Sequence, residues 1–277
     1  MSNIRTYFSE RFPLAITSVH SLATASFLVG ISSNTQNWQV MLCIAVGFFF
    51  FMLRMRVTDE FKDSSHDNSN YPDRPVQRGI ISRNQLISIG IISLLLEITS
   101  AVLAGMFSNN LAAAWFYLAI LGYSALTRFE FFAPKFLDRH FNIYFLSHQA
   151  IFLLYPLWSF NLFQTEISLI NLGQATSFVL FMASMEIMRK YEIRRNPSGE
   201  IVLDTYLAVW KTCAFWIMLG ITALGSALLY LPAQQPIFVI IGLLSCLLMI
   251  LIRKQNEAVR LVVAITFLVL SGLCFWL

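Results

Sequence analysis

Nine apolar runs, each close to the length a helix needs to cross a bilayer, restrict this chain more than any other feature of its sequence. They cover about 14–33, 38–56, 85–106, 110–128, 142–163, 168–188, 205–231, 236–252 and 258–277. Roughly 20 helical residues span the ~30 Å of hydrocarbon. Inside lipid the backbone must satisfy its own polar groups, which selects helices. Composition agrees: 57% of the 277 residues are hydrophobic and only 12% are charged, against roughly 25% charged in soluble domains. The expected fold class is therefore an all-α integral membrane protein with nine transmembrane helices in a single domain, 1–277. The first run follows Arg5 and Arg11 and lacks a small-residue cleavage site, which predicts a retained helix rather than a signal peptide.

Charge sets the expected orientation. With nine spans, all 19 Lys and Arg fall on one side of the membrane or within about two turns of it. The opposite connections, around Asn34, Asn109, Gln164 and Pro232, carry none. The positive-inside rule puts the N-terminus and the basic loops in the cytoplasm and the C-terminus on the other side of a cell (inner) membrane. Cys43, Cys213, Cys246 and Cys274 lie in apolar runs, a pattern that suggests neither disulfides nor a metal-binding Cys pair. The net charge of +4 follows from the loop bias, and no nucleic-acid motif accompanies it.

The longest hydrophilic stretch, about 56–85, carries TDEFKDSSHDNSNYPDRPVQRGIIS. Asp59, Asp63 and Asp67 are four apart and Glu60 is three before Asp63, so on a helix they share a face with about 6 Å between neighbours. Carboxylates so placed repel unless a cation lies among them, and Mg²⁺ favours such oxygen ligands together with phosphates. Arg74 and Arg78 follow, between and after Pro72 and Pro75; a guanidinium fork suits phosphate oxygens. Ser82-Arg83-Asn84-Gln85 predicts a capping box at the start of the third span.

This segment resembles the first signature of the UbiA superfamily of intramembrane prenyltransferases, N-D-x-x-D-x-x-x-D followed by N-R-P-x-R-P and then a Gly and a Ser. Asp59 takes the Asn position, and Glu60, Asp63 and Asp67 take the acidic ones. Asn70, Pro72, Arg74, Pro75, Gly79 and Ser82 match without a gap, while Tyr71 departs. The resemblance implies helices around a central cavity, a Mg²⁺ cofactor held by Asp59, Glu60, Asp63 and Asp67, and catalysis that depends on Asp63, Asp67, Arg74 and Lys211. The family's second signature, D-x-x-x-D after the sixth helix, is altered here: Glu186 stands at its first position and Lys190 at its last. Either Glu186 and Asp204 reach a second ion, or Arg189 and Lys190 neutralise the diphosphate directly; alternatively these two cations anchor the helix end at the anionic leaflet. Tyr123 and Arg128 fit a third family pattern, Y-P-x-x-K-R, which Ser124 and Thr127 do not.

Ionisable groups inside spans usually face a cavity or a partner. His20, His148, Glu186 and Lys211 cluster toward the basic ends of their runs. Lys211 either reaches the diphosphate, with Arg74, Arg78, Arg128, Arg189 and Lys190, or snorkels to the interface. His148 either lines a substrate pocket, with Tyr123, or bridges helices. Glu97, near the middle of the third run, is either a base or acceptor handle in that pocket or a protonated, helix-bridging carboxyl. The resemblance implies a prenyltransferase acting on an isoprenoid diphosphate donor and an aromatic or other lipophilic acceptor in membrane lipid. A terpene cyclase on the same fold, or a non-catalytic transporter or scaffold, are the alternatives that the altered signatures leave open.

Overall fold

The computed structural model describes residues 3–33, 36–233 and 235–276, with side chains 231–233 set aside. Fourteen α-helices appear among the described residues: α1 (Asn3–Arg11), α2 (Leu14–Ser32), α3 (Trp38–Lys62), α4 (Ser64–Asn70), α5 (Arg83–Phe107), α6 (Ala113–Arg128), α7 (Pro134–Arg139), α8 (Phe141–Gln149), α9 (Ile151–Leu162), α10 (Leu169–Arg189), α11 (Tyr206–Trp210), α12 (Cys213–Ala233), α13 (Pro236–Leu251) and α14 (Asn256–Trp276). No strand occurs among these residues; Arg195 and Ile201 form an isolated bridge. The protein is all-helical.

Local chemistry explains where the helices start. The Ser82 hydroxyl accepts from the Gln85 amide while the Gln85 side chain accepts from the Ser82 amide, so the expected capping box opens α5. Ser168 and Asn171 do the same for α10, the Asn37 side chain caps α3, and Pro236 opens α13 at a position with no amide to satisfy.

Each of the nine expected runs falls on helix, with two interruptions. The run at 142–163 is divided at Ala150 into α8 and α9. The run at 205–231 breaks at Lys211, whose φ of 52° places it in the left-handed region that ends α11. Among the described residues five helices are long and apolar enough to cross a membrane: α2, α3, α5, α12 over Cys213–Tyr230, and α14; α13 is a shorter apolar helix.

The chain forms two compact units. The first comprises Met1–Ala25, Asn37–Phe141 and Asn196–Ser198. In it α3 packs along α5, and α6 against both. Tyr7 and Phe12 pack with Leu53, Val57, Ile81 and Leu86 in one buried cluster that docks α1. The second comprises Ser26–Gln36, Asn142–Arg195 and Gly199–Leu277. There α10, α12, α13 and α14 pack in succession and α9 lies on α10. Phe27 meets Phe178, Phe181 and Phe267, joining α2 to α10 and α14.

Small residues let these helices approach, as is common where lipid supplies no hydrophobic drive between them. A Cβ at Gly30 would lie 2.1 Å from the Cys274 carbonyl oxygen, and one at Gly242 would lie 2.5 Å from the Ser226 Cβ. Backbone cannot swing aside as a side chain can. Gly30→Ala is expected to cost roughly 1–3 kcal/mol by overpacking, and more than Gly242→Ala, where the approach is longer and meets one side chain instead of three backbone atoms. Thermal unfolding of both variants in detergent micelles, with the larger drop in Tm at Gly30, checks this order.

Candidate functional site

The acidic segment of the first unit is built on a helix that is interrupted at Asp63. α3 ends at Lys62, Asp63 adopts φ −90° and ψ 8°, and α4 begins at Ser64. Helical spacing nevertheless persists across the break: the Asp63 amide donates to the Asp59 carbonyl, that of Asp67 to Asp63, and that of Tyr71 to Asp67, each at 2.8 Å. The four acidic residues therefore keep their register, but not their environment. Asp59 and Asp63 are half-buried, whereas Glu60 and Asp67 are each only 3% exposed.

Arginines offset the cost of burying those two carboxylates. Arg11 Nε donates to Glu60 Oε1 at 2.8 Å, and Arg56 donates to the same oxygen from Nε at 3.2 Å and Nη2 at 3.1 Å. Asp67 Oδ2 pairs with Arg74 and lies 3.8 Å from Arg11 Nη2. Arg74 also lies 3.8 Å above the Tyr71 ring, so the residue that departs from the signature gives Arg74 a cation–π platform. Arg78 pairs with Glu10 of α1 at 2.7 Å, and Lys62 with Glu130 at 3.1 Å.

This arrangement engages one oxygen of each buried carboxylate with arginine and leaves the other less occupied. Glu60 Oε2 is buried with no hydrogen-bond partner, a state costing roughly 1–3 kcal/mol. Asp67 Oδ1 has only the His66 ring nitrogen, at 3.4 Å. Tyr7 lies beside them with its hydroxyl buried and unpartnered; burial, and then the nearby Glu60 carboxylate, push its phenol well above the ordinary value. No three His, Cys, Asp or Glu side chains converge as a ready-made metal cluster among the described residues. The hard oxygen donors and the orphaned Glu60 oxygen fit a divalent cation in chemistry.

Glu97 is fully buried in the same unit. Arg54 grips it twice, Nε to Oε2 at 2.6 Å and Nη2 to Oε1 at 3.0 Å, and the Tyr117 hydroxyl donates to Oε1 at 3.0 Å. Glu97 thus bridges α3, α5 and α6, through an ion pair with Arg54 and not as a protonated carboxyl. Beside it, a groove of about 220 Å³ is lined by Arg54, Thr58, Phe61, Ile87, Ile91 and Arg128, among others. The exposed Arg128 donates to the Thr58 carbonyl at 3.3 Å. Tyr123 packs edge-on against Phe131.

In the second unit Glu186 meets the two cations that follow it. Arg189 binds both its oxygens at 2.8 Å, Lys190 Nζ lies at 3.9 Å, and the Tyr206 hydroxyl donates at 3.3 Å. Asp204 stands 3.8 Å from Arg194. Lys211 is exposed at the break between α11 and α12. His148 stacks on Tyr144, with Nδ1 2.8 Å from the Tyr144 carbonyl.

A model of the UbiA prenyltransferase family matches residues 21–276. The chain belongs to that family. It is a multi-pass membrane protein of the prenyltransferase class. Among solved structures, digeranylgeranylglyceryl phosphate synthase is 17% identical with a TM-score of 0.57, over 100% of both chains. A UbiA homologue from Archaeoglobus fulgidus, described as bound to DMAPP and Mg²⁺, is 14% identical with a TM-score of 0.51, over 98% of this chain and 99% of that one. The same protein bound to GPP and Mg²⁺ gives 0.52. These likenesses establish the UbiA fold. No curated protein sequence matches.

Within this UbiA-family chain, sequence reasoning passed over Arg11, Arg56 and Tyr7. Arg56 follows the periodicity of α3 and could have been paired with Glu60 at i, i+4; Arg11, 49 residues from Glu60, carried no local signal. For Glu97, truncation to Ala removes the buried carboxylate that Arg54 and Tyr117 share. It is expected to destabilise the protein by about 3 kcal/mol, and Tyr117→Phe by about 1 kcal/mol, as read from unfolding in micelles.

Proposed function

We propose that this chain is a Mg²⁺-dependent intramembrane prenyltransferase that moves a prenyl group from an isoprenoid diphosphate to a lipophilic acceptor, aromatic or otherwise. The observation that carries the reading is the buried Glu60–Asp67 pair, each holding one oxygen against arginine, with Glu60 Oε2 left without a partner. Asp59, Glu60, Asp63 and Asp67 would hold the cation. When bound, Mg²⁺ supplies charge neutralisation of the departing diphosphate, which lowers the barrier to C–O cleavage.

The side chains of the chain do the remainder. Arg74, seated on Tyr71, presents a fixed guanidinium fork to phosphate oxygens; Arg78 and Arg128 add exposed positive charge from the loop and from the end of α6. In the second unit Arg189 and Lys190 are already engaged with Glu186, so a diphosphate reaching them competes with that carboxylate. Glu186 and Asp204 are the carboxylates available for a second ion, and Lys211 is a further cation. Tyr123 and His148 are proposed pocket residues. The exclusion of water by surrounding apolar helices protects an allylic cation until the acceptor captures it. The segregation of Lys and Arg supports a cytoplasmic donor site, and the match over residues 21–276 supports one prenyltransferase domain.

Purified protein supplied with prenyl diphosphates of several lengths and candidate acceptors is expected to release diphosphate only with Mg²⁺. Asp63→Ala and Asp67→Ala are each expected to lower kcat/KM at least about 100-fold, or ~2.7 kcal/mol. Full activity in both variants would remove the cation-site assignment. Release of a cyclic hydrocarbon without acceptor would replace transfer with cyclisation as the reaction.

A further inference from the structure

The N-terminal helix α1 lies outside the stretch that matches the family, which begins at residue 21, yet it reaches into the acidic segment. Its last residue, Arg11, is largely buried, with 13% of its side chain exposed, and contacts two carboxylates seven residues apart: Glu60 at 2.8 Å and Asp67 at 3.8 Å. These sit on different helices, Glu60 in the last turns of α3 and Asp67 in α4, on either side of the break at Asp63. Arg11 is the side chain of α1 that touches both.

Its placement on each carboxylate has a consequence for the other oxygen. Arg11 and Arg56 converge on Glu60 Oε1, and Arg74 and Arg11 face Asp67 Oδ2. The side chain of Glu60 is fully buried and its Oε2 has no partner. Mutual repulsion would drive two buried carboxylates apart; a guanidinium in contact with both holds them side by side. Two features fix α1 where Arg11 can do this. Tyr7 and Phe12 are buried against α3 and α5, and Glu10 pairs with Arg78 beyond α4.

We propose that Arg11 is a positioning residue of the donor site: it holds Glu60 and Asp67 in register across the α3–α4 break so that Glu60 Oε2 and Asp67 Oδ1 bind one divalent cation. This inference rests on the cation-site reading given above. Outer partners of this kind, when removed, typically cost 10–100-fold in metal affinity.

The test uses the full chain in lipid nanodiscs, with Mn²⁺ as probe in the presence of inorganic pyrophosphate and free Mn²⁺ read by electron paramagnetic resonance. Arg11→Gln is expected to raise the apparent Kd for Mn²⁺ about tenfold. Arg11→Lys, which keeps the charge but not the fork, is expected to recover part of that loss. Thermal unfolding of both is recorded alongside, because a purely structural role would lower Tm and leave the Kd of the folded protein unchanged. Mn²⁺ binding in Arg11→Gln as tight as wild type, or tighter, would overturn the proposal by making Arg11 a competing charge. Equal loss in the Gln and Lys variants would overturn it as well. Mn²⁺ binding in the wild type that Asp67→Asn leaves untouched would instead sink the cation-site reading, and this inference with it.

Discussion

Two carboxylates held away from water, Glu60 and Asp67, impose a condition that the surrounding first unit meets. An isolated buried carboxylate costs several kcal/mol, which a well-placed guanidinium offsets only with good geometry. Three arginines meet the requirement, and each comes from a different place: Arg56 from the same helix, Arg74 from the loop after α4, and Arg11 from α1. The packing of Tyr7 and Phe12, the salt bridge of Glu10 with Arg78, and the stacking of Arg74 on Tyr71 then read as the means by which those guanidinium groups are kept in place. One oxygen of Glu60 remains unpaired. That is the kind of local imbalance that a functional site retains.

The same principle recurs deeper in the first unit with a different outcome. Arg54, Glu97 and Tyr117 satisfy one another across α3, α5 and α6, with both carboxylate oxygens taken. A fully satisfied buried network fixes helices relative to each other; a partly satisfied one leaves capacity for a ligand. In the second unit Glu186 is held by Arg189, Lys190 and Tyr206, partners that a second ion would have to displace. The replacement of an acidic position by Lys190 thus has a physical correlate: the carboxylate and the cation that follow each other in sequence neutralise each other in space.

Much of this was legible in the chain because its signals are local. Apolar runs, the capping box at Ser82 and the spacing from Asp59 to Ser82 depend on residues within a few turns, and the helices and the family follow from them. The breaks at Ala150 and Lys211 were hidden inside continuous apolar runs, because hydropathy does not record backbone direction. Tyr71 looked like a defect in the signature; only its ring beneath Arg74 explains it.

By itself the sequence determined that the protein is helical, crosses a membrane several times and carries a UbiA-type acidic segment, since hydrophobic length and motif spacing are properties of a line. Tertiary structure decided which of the four acidic side chains turn inward and which cations neutralise them. Glu60 meets Arg11 across 49 residues and Glu97 meets Arg54 across 43. No periodicity reports a contact of that kind, because it exists only once the helices have packed and burial has made an unpaired charge too costly to leave.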